Sequence, residues 1–284
     1  MNFNGRRILL TGAAGGIGME LASQLLDENA HVLLTGRDRL ALQGVASLLG
    51  RNSNRAAVFT ADLTKDTDRA ALCAFATQWR GGIDMIINNA GVSDFTLLER
   101  QSAESMQMAL LVNLLAPMDL CRQLLPHLCR TGDAHIVNIG SVFGSIGFAG
   151  NAVYCATKFG MRGFSEALRR ELAHSNVRVH YFAPRATRTK FNARQVDELN
   201  AALGNSSDPP ELVARVIVAA LRSDRLELVV GWPEQLFARL NAVLPRLVDV
   251  ALRKKLHTIR EFALRARTST PTIAQEASLA RKVV

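Results

Sequence analysis

Only four cysteines, Cys73, Cys121, Cys129 and Cys155, are scattered through 284 residues. They form no CxxC pair and no metal-like spacing with the six histidines. Neither a disulfide framework nor a metal centre is therefore expected, and the thiols read as incidental residues of a reducing compartment. No run of 18 or more uninterrupted apolar residues occurs, so no membrane-spanning helix is expected. A signal-peptide core is missing too, because Ile8-Leu9-Leu10 is broken at once by Thr11 and Gly12. A cytoplasmic location follows as the expectation, with a peripheral place at the inner membrane surface as its variant. Internal repeats are absent, and periodicity fades only from about Thr268. What the chain does have is apolar material, 48% of it, enough for the core of one large domain.

The formal charge of +9 is unevenly placed. From Arg225 onward eleven Lys/Arg stand against five Asp/Glu, so this segment carries +6 of the total. That distribution argues for a local basic face and against a nucleic-acid-binding protein.

Along residues 1–231, short apolar runs alternate with helix-period segments. Strands are predicted at Arg7–Thr11, His31–Thr35, Ala56–Ala61, Ile83–Asn88, His135–Ile139, Val177–Phe182 and Leu226–Val230. Most are uniformly apolar, as strands covered on both faces are. Between them, Ile17, Leu21, Ala22, Leu25 and Leu26 make one helical stripe, and Leu110, Leu114, Leu120 and Leu124 contribute to another. This alternation predicts an α/β fold, a doubly wound parallel sheet of Rossmann type with about seven strands. Residues 232–267 form a C-terminal helical extension, amphipathic and basic, and 268–284 read as a loose tail. In the extension Leu236, Phe237, Leu240, Val243 and Leu244 share a face before Pro245, and Val250, Ala251, Ile259, Phe262 and Ala263 continue beside arginines and lysines.

Thr11-Gly-Ala-Ala-Gly-Gly-Ile-Gly18 joins the first strand to the first helix. Gly12 suits a tight turn, Gly16 a close approach of backbone to pyrophosphate, and Gly18 close packing of helix on strand. The helix start next to Ile17 offers free N–H groups to phosphate. An acidic residue is lacking at the end of the second strand, where it would bind a ribose 2′-hydroxyl. Gly36 and then Arg37 stand there instead. A guanidinium beside a small neutral residue favours a 2′-phosphate, hence NADP(H). Asp38 next door is expected to cap the following helix. Tyr154 and Lys158 lie one helical turn apart on one face. A tyrosine with its reference pKa near ~10 is a poor base unless a cation stabilises the phenolate, and Lys158 can be that cation. Ser141 follows the fifth strand, Asn88-Asn89-Ala90-Gly91 ends the fourth, and Asn113 places an amide in an apolar helix.

In order and spacing, these motifs resemble the short-chain dehydrogenase/reductase family of the classical type, over about residues 5–230. The resemblance implies that Tyr154 exchanges a proton with the carbonyl or alcohol oxygen and that Ser141 hydrogen-bonds the same oxygen. Lys158 would lower the Tyr154 pKa and bind ribose, and Asn113 would support a water-linked proton relay. Asp62 would contact adenine, Asn89, Ala90 and Gly91 would line the adenosine side, and Thr189 would hold the nicotinamide carboxamide. One departure stands out. Arg185 follows Pro184 where the family commonly has glycine, which puts the loop geometry in doubt and adds a cation near the substrate mouth. The resemblance further implies a homodimer or homotetramer paired through helices around 102–125 and 152–173.

The expected activity is hydride transfer between NADP(H) and a small-molecule carbonyl or alcohol. The apolar composition and the extension favour a lipophilic one, fatty-acyl, steroid-like or terpenoid. Two other readings remain: a catalytically silent NADP-binding sensor or scaffold, and an epimerase or dehydratase on the same fold. The basic helices are expected to pack on the protein's own core or a second subunit, or to touch a membrane or an acidic carrier protein.

Overall fold

The computed structural model describes residues 1–49 and 54–265. The first half runs β1 (Arg7–Thr11), α1 (Gly16–Asp27), β2 (His31–Gly36), α2 (Arg39–Leu48), β3 (Ala56–Thr60), α3 (Asp66–Gln78), β4 (Met85–Asn88), α4 (Ala103–Leu110) and α5 (Ala116–Leu128). It continues with β5 (Ala134–Ile139), α6 (Ala152–Glu171), β6 (Val177–Ala183), α7 (Arg194–Ala202), α8 (Pro210–Arg222) and β7 (Glu227–Val229). Three helices close the described chain, α9 (Trp232–Val243), α10 (Pro245–Arg253) and α11 (Leu256–Leu264). The strands make one seven-stranded sheet in the order β3-β2-β1-β4-β5-β6-β7, all parallel. The order reverses between β1 and β4, which opens a crevice at the carboxyl ends of the strands.

The two-residue period of the strands sorts the core. Ile8 and Leu10 of β1 pack with Leu21, Leu25, Val213 and Ile217 of α1 and α8. Leu9, between them, packs on the opposite face with Leu72, Leu120 and Leu124 of α3 and α5. Both faces of the central strands are thus covered, and this is why their sequences are uniformly apolar.

Where a single helix is expected around 102–125, the backbone widens into a π turn at Leu111–Leu115 between α4 and α5. Residues 103–128 form a continuous 26-residue helical rod, long and apolar enough to cross a membrane by length and composition. That qualifies the expectation drawn from uninterrupted apolar runs. Ala116, Leu120, Cys121, Leu124 and Leu128 on this rod are buried against the sheet, the position of a core helix.

The extension divides its apolar residues. Val248, with Leu240 and Leu252, packs on Val142 and Ile146, while Ile259, Phe262 and Ala263 pack on Phe95, Leu97 and Leu199. Others on α9 and α10 stay in the open. A turn at Lys254–Lys255 separates α10 from α11, so the helical extension expected over 232–267 is built of three helices, α9, α10 and α11. Its last two residues and the tail lie outside the described residues.

His135 and His180, on neighbouring strands, are buried with Nδ1 of the first 3.0 Å from Nε2 of the second. His180 Nδ1 sits 2.8 Å from the Arg225 carbonyl and must donate to it, so His180 Nε2 accepts from His135. Asp224 lies close enough to complete a metal-like trio. Three of the four ring nitrogens, however, are spent on each other and on backbone, the fourth, His135 Nε2, faces Asp133 at 3.3 Å, and Asp224 is paired with Arg178. Burial, reinforced by His180, pushes His135 down to about 4. Folding therefore excludes a proton that the unfolded chain, with a histidine pKa near ~6.5, would bind. Stability is fully present above that unfolded value and falls as pH drops towards 4, by about 3 kcal/mol at most. Urea midpoints at pH 7 and pH 5 should differ in this sense, and His135→Gln should flatten the slope between them. An unchanged slope would assign the acid sensitivity elsewhere.

Candidate active site

Each motif lands at the carboxyl end of the sheet. Gly12 has φ +63°, and a Cβ there would come within 2.8 Å of the Ala90 backbone. At Gly18 a Cβ would collide with the Gly12 carbonyl, so both positions need glycine for the turn to close. Gly16 opens α1 and has the Thr189 side chain directly over it, with Ile17 beside it in the cavity wall. Asn89 fastens this turn to β4: its Nδ2 donates to the Thr11 and Gly12 carbonyls at 3.1 Å. The Asn89 and Ala90 N–H groups both donate to Thr11 Oγ1 at 3.0 Å.

Arg37 follows the end of β2, and Asp38 caps α2 by accepting from Leu40 and Ala41 N–H. Asp62 accepts from the Thr64 N–H at 3.1 Å and hydroxyl at 2.8 Å. Burial opposes its charge, but these two bonds, with Lys65 and Arg37, outweigh burial and hold the carboxyl below its usual range. Asn88 turns back into the core rather than towards ligand. Its Nδ2 donates to Asn138 Oδ1 at 2.8 Å, and Asn138 donates to Ser165 at 2.8 Å, a buried thread that ties β4, β5 and α6 together.

Tyr154 and Lys158 project from the first turns of α6, with Lys158 Nζ 5.7 Å from the Tyr154 ring centre. The Ser141 side chain accepts from Phe143 N–H at 3.1 Å and favours the ionised form of the neighbouring Tyr154 phenol. Lys158 Nζ donates to the Ile139 carbonyl at 3.0 Å. Burial pushes Tyr154 up to about 12 in spite of Ser141, and burial pushes Lys158 down to about 8. Burial dominates the Tyr154 titration, and the phenol keeps its proton at neutral pH.

Asn113 sits in the π turn, almost fully buried. Its Oδ1 accepts from Val92 N–H at 2.7 Å, and its Nδ2 donates to the Val92 carbonyl at 2.8 Å and to Thr157 at 3.2 Å. Both ends of the amide are engaged, so it braces the Gly91–Val92 wall against the helix that bears Tyr154 and Lys158.

A cavity of about 750 Å³ runs past the glycine turn and the Ser141, Tyr154 and Lys158 side chains, with Asn88 and Asn113 behind its wall. One end holds the glycine turn, Arg37 and Asp62, and the middle holds Ser141, Tyr154 and Lys158. Apolar side chains close the far end, among them Phe95, Phe148 and Leu199, with Phe237, Val248 and Leu252 from α9 and α10. Phe143 stacks on Phe148 with ring centres 5.0 Å apart and stands edge-on to Tyr154 at 6.4 Å, while Phe191 lies 6.1 Å from Tyr154. Sequence reasoning missed these aromatics, since nothing in their spacing marks them. Tyr181, behind the site, was missed as well; its hydroxyl donates to the Ser141 carbonyl at 3.4 Å.

Arg185 is no free cation. Its guanidinium grips Asp208 with two bonds, 2.8 and 2.7 Å, and reaches Glu234 of α9 at 3.4 Å. The preceding Pro184 carbonyl accepts from Val142 N–H at 3.0 Å. One side chain thus links the strand end beside Ser141, the base of the loop that carries α7, and the extension.

The glycine cradle, the helix start and the Arg37–Asp62 end fit a dinucleotide with its phosphates at α1. The family model described as short chain dehydrogenase matches residues 6–200. Nodulation protein G of Rhizobium sp. (strain N33) is 35% identical over 231 residues, 80% of this chain and 93% of that protein. The 3-oxoacyl-[acyl-carrier-protein] reductase FabG of Vibrio cholerae is 31% identical over 226 residues, 78% of this chain and 91% of its own length. A solved short-chain dehydrogenase from Sphingobium yanoikuyae in complex with NADPH superposes with a TM-score of 0.71 at 27% identity, over 95% of this chain and 99% of that one. Sheet order, site layout and family match agree, and the chain belongs to the short-chain dehydrogenase family of oxidoreductases.

Proposed function

We propose that the protein uses NADP(H) to reduce a lipophilic carbonyl compound of fatty-acyl, steroid-like or terpenoid kind, or to oxidise the matching alcohol. The observation that carries this reading is one cavity with a nucleotide-fitting end, an acid–base cluster in the middle and an apolar far wall. When bound, the nicotinamide supplies or takes up the hydride; the remaining tasks fall to the chain. Tyr154, protonated at neutral pH, donates its proton to the carbonyl oxygen in reduction. Ser141 hydrogen-bonds the same oxygen and fixes its distance from the phenol. Lys158 holds ribose hydroxyls and, as a cation next to Tyr154, offsets the negative charge left when the proton departs. Asn113 keeps that helix in place. Gly12, Gly16, Ile17 and Gly18 seat the pyrophosphate, Asp62 with Asn89, Ala90 and Gly91 lines the adenosine side, and Thr189 covers the carboxamide.

Residues 1–231 would be the catalytic unit of a cytoplasmic enzyme. Leu110, Leu115 and Phe159 stand exposed on the α4–α5 rod and α6, and we propose a homodimer or homotetramer built on these helices. The extension, 232–267, would contact an anionic partner, a membrane surface or an acidic carrier protein.

Preference for NADPH over NADH rests on Arg37 in a position without a carboxylate. Arg37→Asp is expected to lower kcat/KM with NADPH at least about tenfold, the loss of roughly one charge-assisted hydrogen bond, and to reverse the preference. Equal kcat/KM for the two cofactors in the unaltered protein would refute it. NADPH binding without turnover across a panel of lipophilic ketones would replace the enzyme reading with that of a silent nucleotide-binding scaffold.

A further inference from the structure

We infer that the open face of α9 and α10 docks the protein on an anionic lipid bilayer, so that the apolar cavity draws its carbonyl substrate from the membrane. This rests on the oxidoreductase reading above and names the partner of its substrate side.

Helical spacing puts Trp232, Leu236, Arg239 and Val243 on one face of α9. Leu247, Val250 and Lys254 share a face of α10 and the turn after it. Trp232 is 73% and Val243 75% exposed, and Leu236, Leu244, Leu247 and Val250 are exposed as well. The opposite side of α10 faces inward, where Val248 and Leu252 line the cavity. Half-exposed Phe237 and exposed Ala251 also line it. The same two helices therefore present an apolar crest outward and the cavity wall inward, with the rim between them.

The cations around the crest identify the occupant. Arg239, Arg246, Arg253 and Lys254 are exposed. Of the acids on these helices, Glu234 is bound to Arg185, and Asp249 alone remains to oppose them. Large apolar side chains ringed by Arg and Lys match an interface with hydrocarbon below and anionic headgroups above. A second copy matches poorly, because a two-fold contact would set like charges against each other. An acidic protein would satisfy the cations but leave the breadth of the crest without a purpose.

Co-sedimentation of the full chain with phosphatidylcholine vesicles, with and without phosphatidylglycerol, tests this. Binding should be at least about tenfold stronger to the anionic vesicles and weaken as salt rises. Combined Leu244→Glu, Leu247→Glu and Val250→Glu, none of which lines the cavity, should abolish capture while turnover of a water-soluble ketone with NADPH is retained. If that variant fails to fold, combined Arg239→Gln, Arg246→Gln and Lys254→Gln should lose the anionic preference alone. The inference is overturned if intact protein ignores anionic vesicles, or if both variants bind them unchanged. It is equally overturned if the glutamates lower the mass by light scattering, which makes the face a contact between copies. Retention on an acidic acyl carrier protein without vesicle binding would assign the face to a protein partner. Vesicle binding by a chain that turns over no ketone would leave the docking face standing and sink the enzymatic reading instead.

Discussion

Tyr154→Phe is expected to reduce kcat by a factor of at least about 100, the ordinary contribution of a positioned general acid. Cofactor affinity and thermal stability should barely change. Only the phenol oxygen is removed, and the ring keeps its contacts with Phe143 and Phe191. Single-turnover measurement of NADPH oxidation with a lipophilic ketone, beside a fluorescence titration of NADPH, separates the two quantities. More than about a tenth of the rate surviving would remove Tyr154 from the acid's role. Ser141→Ala should lower the rate less, since the proton donor remains.

Arg185→Ala should be the most destabilising of the surface-loop substitutions. Its partner Asp208 has only 8% of its side chain exposed, so removal of the guanidinium strands a nearly buried carboxylate. Breaking such a pair costs about 3–5 kcal/mol when fully buried. With 21% of the Arg185 side chain in solvent, about 2–3 kcal/mol is the reasonable expectation, or a fall in Tm of roughly 4–12 °C. Arg194→Ala gives the contrast: this ion pair with Glu198 leaves 87% of the arginine side chain exposed, and well under ~1 kcal/mol is at stake. Calorimetry on both variants checks the difference. The double variant Arg185→Met with Asp208→Asn should recover much of the loss, because the stranded charge goes with the carboxylate. Equal melting temperatures for Arg185→Ala and Arg194→Ala would contradict this account.

Much of the fold was legible because its causes are local. Leu9 between Ile8 and Leu10 announces a strand covered on both faces, Gly12 and Gly18 announce a turn that admits no Cβ, and four residues of helix put Lys158 beside Tyr154. What escaped depends on partners far along the chain. The LLVNLL run reads as continuous helix, and its π turn comes with a clasp between Asn113 and Val92, 21 residues away. Arg185 meets Asp208 and Glu234 at separations of 23 and 49, and His135 meets His180 at 45. Periodicity found the apolar stripe of the extension but could not say that Val248 would turn inward and Leu247 outward. Spacing set Lys158 beside Tyr154 but could not show that burial would dominate the titration of both.

The cavity is assembled from two stretches of chain that answer to different demands. The nucleotide end and the acid–base cluster come from residues between Gly12 and Thr189, whereas much of the far wall comes from Leu199, Phe237, Val248 and Leu252. Substitutions in the second group can reshape what is admitted without disturbing how it is reacted. Substrate range can therefore drift across descendants of this fold while the chemistry stays fixed, within limits set by side chains that tie the two stretches together, among them Arg185 to Asp208 and Glu234 and Asn241 to the Ser145 carbonyl.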